Sequence, residues 1–215
     1  MNWDEVFMLL SILIEGMRLT IIVTLGSLVF STLLGLIWAL MRVSGYPMLV
    51  VTSVWVVNFL RGTPILIQLF YIYFVLPEMG ITLSALQAAI IGLGLAYSAY
   101  QAENFRTGIE AIDRGQIEAA QSLGMSWSTM MRRVILPQAV RIILPTYGNT
   151  MIMMLKDSSL ASTITVAELA FKGQILALST FKYSTVLTLV ALLYLVMSAP
   201  LILAVGWLEK RAKKL

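Results

Sequence analysis

Histidine and cysteine are both absent from the 215 residues. Without cysteine there is no disulfide framework, thiolate nucleophile or thiolate metal ligand. Without histidine the commonest general base and the commonest metal ligand are gone. No catalytic residue and no metal site is expected. Charge is scarce too, at 12% of residues, against ~25% in a typical soluble domain. No GxxxxGK[ST] loop occurs, so that route to ATP binding is closed. The opening residues, MNWDEVFMLLSILIEG, carry acids where a cleavable signal carries basic residues, so the first helix is expected to remain as an anchor.

What the chain has instead is apolar length. Hydrophobic residues make up 59% of it. In a bilayer every backbone polar group must be satisfied internally, which leaves helices and closed barrels. The runs are too long and continuous for barrel strands of about 10 alternating residues. The expected fold is an all-α integral membrane domain, 1–215, embedded in membrane lipid and with no nucleic acid partner. A spanning helix needs about 20 mostly apolar residues. Five stretches meet that length: 17–41, 47–76, 83–106, 137–160 and 185–208. The second is long enough to tilt or kink, and Pro64 is expected to kink it. There is no internal repeat and no low-complexity segment.

Lysine and arginine placement sets the expected orientation. Arg42 follows the first span, and Arg106, Arg114, Arg132, Arg133 and Arg141 surround the central polar segment. Lys210, Arg211, Lys213 and Lys214 follow the fifth. These regions share one side of a five-span path, so that side is expected to be cytoplasmic, with the N-terminus outside. The opposite loops carry a mixed set: Asp4, Glu5, Glu78, Glu168, Lys172 and Lys182. The interrupted stretch STITVAELAFKGQILALSTFKYS reads as a short outer helix over 166–178. A sixth span there is the alternative, and it would place the basic tail outside.

The central segment, EAAQSLGMSWSTMMRRVILP, is a polar island. Asp113 is placed to cap RGQIEAAQSL, Gly124 suits the left-handed residue that ends a helix, and Ser126 is placed to cap the next turn. Ile117, Ala120 and Leu123 are expected to share one face, and Ala119 with Ala120 offers little bulk, so a partner can approach closely. A docking hairpin and an ordinary headgroup-level loop both fit these residues.

The spacing Glu118-Ala119-Ala120, three residues, Gly124, nine residues, Val134, one residue, Leu136-Pro137 resembles the EAA loop of ABC importer permeases, with Val134 where isoleucine is usual. EGMRLTIIVTLGSLVFSTLLGLIWALMR, FLRGTPILIQLFYIYFVLP, YQAENFRTGIEAI, LPQAVRIILPTYGN and LKDSSLAS resemble the polar amino acid uptake branch of that family. AENFRTGI departs from the usual AEIxRGGI at Asn104 and Thr107. The resemblance implies the type I importer permease fold, with 107–136 as a cytoplasmic coupling loop. Glu118, Ala119, Ala120 and Gly124 would then meet an ATPase. It further implies two ABC ATPase subunits that hold ATP and Mg, so this chain carries no cofactor. A second permease copy or close paralogue, an extracytoplasmic amino-acid-binding protein and an amino acid substrate complete the implied set. The site would be a bacterial or archaeal cytoplasmic membrane.

Ionisable residues at membrane depth cost ~2.5–3.5 kcal/mol on insertion scales and face cavities or partners. Arg61 lies in the second span, Glu103 toward the inner end of the third, and Lys156 with Asp157 in the outer half of the fourth. Glu103 is either a path carboxylate near Tyr97 and Tyr100 or an interfacial partner of Arg106. Asp157 is either a path residue or paired with Arg61 or Lys156. Arg61 is expected to neutralise an acid between helices. Asn58, Gln68, Asn149, Ser158 and Ser159 line the cavity or bond between helices. If Arg61 satisfies one carboxylate, the other is left for a cationic substrate side chain, that of arginine, lysine or histidine. Asn58, Tyr97, Tyr100, Ser158 and Ser159 then offer donors to the substrate carboxylate. A secondary transporter or channel subunit is the alternative class.

Overall fold

The computed structural model describes residues 3–212. The helices are α1 (Trp3–Val43), α2 (Pro47–Gly62), α3 (Ile65–Phe70), α4 (Ala85–Glu110), α5 (Arg114–Ser122), α6 (Trp127–Met130), α7 (Leu136–Asp157), α8 (Leu169–Thr180) and α9 (Tyr183–Ala212). A wide π turn and a 3-10 turn carry α3 on to Met79, a π turn joins α6 to α7, and a 3-10 stretch, Ser158–Ile164, follows α7. Lys213 and Lys214 of the basic tail lie outside the described residues, as do the side chains of Asp4 and Glu5.

Two helices are long and apolar enough to cross a bilayer unaided: Val6–Val43 and Tyr183–Arg211. The bent pair Pro47–Gly62 and Ile65–Met79 makes a third. At 26 and 22 residues α4 and α7 have the length, but α4 turns mostly small and polar side chains into the bundle and α7 carries Arg141, Lys156 and Asp157. The first span also starts earlier than 17: α1 runs from Trp3, and its extra turns place Leu9 and Leu13 against Leu169, Ala177, Val186 and Val190.

α1 and α4 form the most extensive pairing. Gly35 sets their approach, because a Cβ there would lie 2.6 Å from Gln101 Cβ and 2.9 Å from the Ser98 carbonyl oxygen. That neighbour is backbone and cannot swing aside. Gly35→Leu is expected to cost about 3 kcal/mol, read as a lowered midpoint of thermal unfolding in detergent. Gly206→Leu, where a Cβ meets nothing within 4 Å, is expected to leave the midpoint unchanged.

The second expected span is two helices, bent by 99° at a break of two residues, rather than one kinked helix. Thr63, forced toward extended backbone by the proline after it, has φ −107 and ψ 132. Pro64 has no N–H to continue the ladder. The carbonyls released at the break are taken by Gln68, whose amide donates to Leu60 O at 2.8 Å and Thr63 O at 3.0 Å. Gln68 is therefore buried as the splint of the break, not as a cavity wall. Leu69 and Ile72 then pack on Ala88, Ala89 and Leu93 of α4 and on Ile164 and Val166.

The helix expected over 166–178 is α8, Leu169–Thr180. Glu168 caps its start and Phe181, at φ 57, ends it. At 12 residues it does not reach across a bilayer. It packs on α1 and α9 at the end of the bundle remote from Arg42 and Arg106. Outside the bundle, α1 exposes Val29, Leu33 and Ile37, and α9 exposes Leu187, Leu195 and Leu203. Apolar surface on that scale belongs against lipid.

Candidate functional site

One face of α4 carries Tyr97, Tyr100 and Glu103 at helical spacing. Tyr97 is buried, and its hydroxyl donates to Asp157 Oδ2 at 2.7 Å. Asp157 is the last residue of α7, where the chain tightens into the 3-10 stretch. The Tyr97 and Tyr100 rings are tilted against each other at 5.6 Å. The Arg61 guanidinium lies 5.8 Å from the Tyr100 ring centre, within cation–π range. A line of polar groups thus descends from Asp157 through both tyrosines to Arg61 and Glu103.

Arg61 pairs with Glu103, at 3.9 Å, and not with Asp157. The reason is the break at Pro64, which ends α2 beside α4. Glu103 also accepts from Arg42 Nη1 at 3.2 Å and from Arg106 through Nε at 3.0 Å and Nη2 at 2.7 Å. The expected Glu103–Arg106 pair is thus present, as part of a larger cluster. Arg106 reaches Glu110 as well. Three guanidiniums around Glu103 satisfy it, whereas Asp157 has no ion-pair partner among the described residues. Lys156, its neighbour, is exposed. The Arg61 side chain remains 46% exposed, so part of its guanidinium is open.

The smaller polar residues divide. Asn58 is exposed on α2. The Ser158 hydroxyl, fully buried, donates to Leu155 O, and that of half-buried Ser159 donates to Lys156 O. Both are occupied by their own helix. Asn149 is exposed and lies 3.4 Å from Glu209 of α9, away from the Asp157 line. Asn104 joins α4 to α7 through Thr150 at 2.9 Å, a bond that an apolar residue at 104 cannot make.

Glu168 belongs to the same end of the bundle and was not legible as a site residue. It is fully buried, and three groups donate to it: Phe171 N–H at 2.8 Å, the Tyr194 hydroxyl at 2.8 Å and the Thr20 hydroxyl at 3.2 Å. Burial pushes its carboxyl up, while the N–H groups of Ala170 and Phe171 and the two hydroxyls pull the other way.

The island folds as its local chemistry directs. Asp113 accepts from Gly115 N–H at 2.7 Å. Gly124 has φ +69, with its N–H on Gln121 O at 2.8 Å and Met125 N–H on Ala120 O at 3.1 Å, the paired bonds of a Schellman ending. Ser126 accepts from Thr129 N–H. Ala120 faces inward, packed with Ile112, Met130, Met131 and Ile135, and Ile117 packs against that cluster. Leu123 does not share that face: the chain is already turning, and Leu123 is 76% exposed. The outer surface therefore carries Glu118, Ala119 and Gly124, joined by two apolar side chains that the motif does not name, Leu123 and Trp127.

A family model described as "Binding-protein-dependent transport system inner membrane component" matches residues 31–214. The chain is 43% identical over 199 residues to the "Probable amino-acid ABC transporter permease protein PatM" of Vibrio harveyi, covering 90% of this chain and 89% of that one. It is 35% identical over 214 residues to the "Probable glutamine ABC transporter permease protein GlnM" of Bacillus subtilis (strain 168), covering 100% and 99%. A solved structure described as "Crystal structure of an amino acid ABC transporter with histidines" aligns with TM-score 0.91 and 35% identity over 98% of this chain and 99% of that one. The chain belongs to the family of binding-protein-dependent transport system inner membrane components and, within it, to the amino-acid ABC transporter permeases.

Proposed function

We propose that the chain forms half of the translocation path of an importer for a basic amino acid, and that it takes mechanical work from separate ATPases through the island. The observation that carries the substrate reading is the contrast between the two acids. Glu103 is held by three arginines, whereas among the described residues Asp157 is held by the Tyr97 hydroxyl alone. A half-buried carboxylate without a cation favours a cationic visitor. The open part of Arg61, beside Tyr100, is placed to meet the substrate carboxylate. The solved relative described "with histidines" supports a basic substrate, while the glutamine name of another relative marks the neutral alternative. Family membership outweighs the secondary-transporter and channel readings.

The remaining parts follow from that reading. Two ABC ATPases bind ATP and Mg and dock on Glu118, Ala119, Leu123, Gly124 and Trp127. A second copy or close paralogue faces this one across a two-fold axis, the commonest oligomer symmetry. An extracytoplasmic binding protein delivers the amino acid at the α8 end, and the arginine-rich ends face the cytoplasm of a bacterial membrane. Copurification from membrane tests the assembly. Tagged permease is expected to retain one ATPase dimer per two permease chains. A functional complex with a single permease chain, or none with an ATPase, would refute it.

A further inference from the structure

Glu168 is a fully buried carboxylate with no cation beside it among the described residues. Capping α8 alone does not require that, since a shorter polar side chain at a wetter position suffices. What the carboxylate does here is join three elements. Its Oε1 accepts from Phe171 N–H of α8, and its Oε2 accepts from Tyr194 of α9 and Thr20 of α1. Thr20 in turn accepts from Leu169 N–H at 3.1 Å. Gly16 lets α1 come this close, because a Cβ there would lie 3.0 Å from Leu169 Cα. Thr165 at φ 68 and Phe181 at φ 57 bracket α8, and they are the only non-glycine positive-φ residues among those described. Such backbone persists where surrounding contacts over-determine it. α8 also packs on the 3-10 stretch, Ser158–Ile164, whose buried first residue follows Asp157.

We propose that Glu168 is a positioning residue for the translocation path: it clamps α8 between α1 and α9 and, through the packing of α8 on it, fixes the 3-10 stretch that follows Asp157 and sets where Asp157 points. The inference rests on the reading of Asp157 as a path residue. The polar groups of the clamp are spent on one another, so its effect on selectivity passes through Asp157.

The chain lacks cysteine, which permits a clean test in the whole reconstituted complex. Ser162→Cys places one thiol in the 3-10 stretch, and its rate of labelling by a water-soluble maleimide reports how firmly that stretch is held. Tyr194→Phe and Thr20→Val each delete one hydroxyl of the clamp, and Glu168→Gln alters its hub. In Tyr194→Phe and Thr20→Val, labelling is expected to rise about tenfold and the ratio of arginine-stimulated to glutamine-stimulated ATP hydrolysis to fall about tenfold, the scale of one bond to a charged group. Thr20→Ser, which keeps the hydroxyl, is expected to stay near the parent. Unchanged labelling in an assembled complex overturns the clamp. So does an equal loss of both stimulations, or failure of both single-hydroxyl variants to assemble, since each marks a structural role only. If Asp157→Asn leaves the ratio unchanged while Tyr194→Phe still raises labelling, the path reading falls and the clamp on the 3-10 stretch stands.

Discussion

Gly124→Trp is expected to insert and fold normally yet lose roughly thirtyfold in affinity for the ATPase, with a matching loss of stimulated hydrolysis. That figure is the ~2 kcal/mol at which an interface position counts as a hot spot. Two features of Gly124 make the variant informative. A Cβ there meets nothing within 4 Å, so a side chain starts out into open space. The backbone, at φ +69, does penalise any side chain, by ~1–2 kcal/mol. Asparagine tolerates that conformation best among the non-glycine residues, so Gly124→Asn separates the local penalty from an intermolecular clash. Asparagine is expected to retain most of the stimulation and tryptophan almost none. Equal behaviour of the two, or undiminished stimulation in Gly124→Trp, would remove Gly124 from the contact. Leu123 and Trp127 stand exposed on either side of it, so a partner groove that covers the glycine also covers them.

Asp157→Asn is expected to divide substrates by charge. The change keeps the shape, and the amide oxygen still accepts from Tyr97, so α4 and α7 remain joined where they now meet at 2.7 Å. What disappears is the charge that a guanidinium or ammonium would meet. Truncating one side of a desolvated charge pair costs 2–5 kcal/mol in known interfaces. Half exposure puts Asp157 at the lower end, so transport of arginine or lysine is expected to fall by about thirtyfold while that of a neutral amino acid changes little. Glu103→Gln is the contrasting case. It leaves Arg42, Arg61 and Arg106 crowded around a neutral group, so it is expected to lower assembly and to reduce transport of every substrate alike. If Asp157→Asn does the same, Asp157 is a structural residue and selectivity lies in the binding protein.

The island was legible because its determinants are local. An aspartate, a glycine and a serine at the right offsets fix two helix starts and a left-handed turn without help from the rest of the chain. The long helices were legible because lipid imposes length and apolarity. The break at Thr63–Pro64 was visible as a kink, but its 99° angle was not. That angle comes from Leu69 and Ile72 finding α4, and from Gln68 closing the loose carbonyls. The partner of Arg61 depends on the same angle, which is why Glu103 rather than Asp157 receives it. Ala120 differs from Ala119 only in tertiary context: one is buried under Met130 and Met131, the other faces out. Glu168 was hidden for a related reason. In TITVAELAFKG it reads as one more acid of a short outer helix. Its burial requires Thr20 of α1 and Tyr194 of α9 to meet it, and neither meeting follows from spacing.

The most direct measurement is amino acid uptake into proteoliposomes that hold the permease, its ATPase and its binding protein, with ATP inside or outside as the only variable. Arginine, lysine or histidine is expected to accumulate only with ATP on the island side of the membrane, and in preference to glutamine. Uptake that proceeds without ATP would contradict the account at its centre, and ATP-driven uptake with no preference for a cationic side chain would contradict the role given to Asp157.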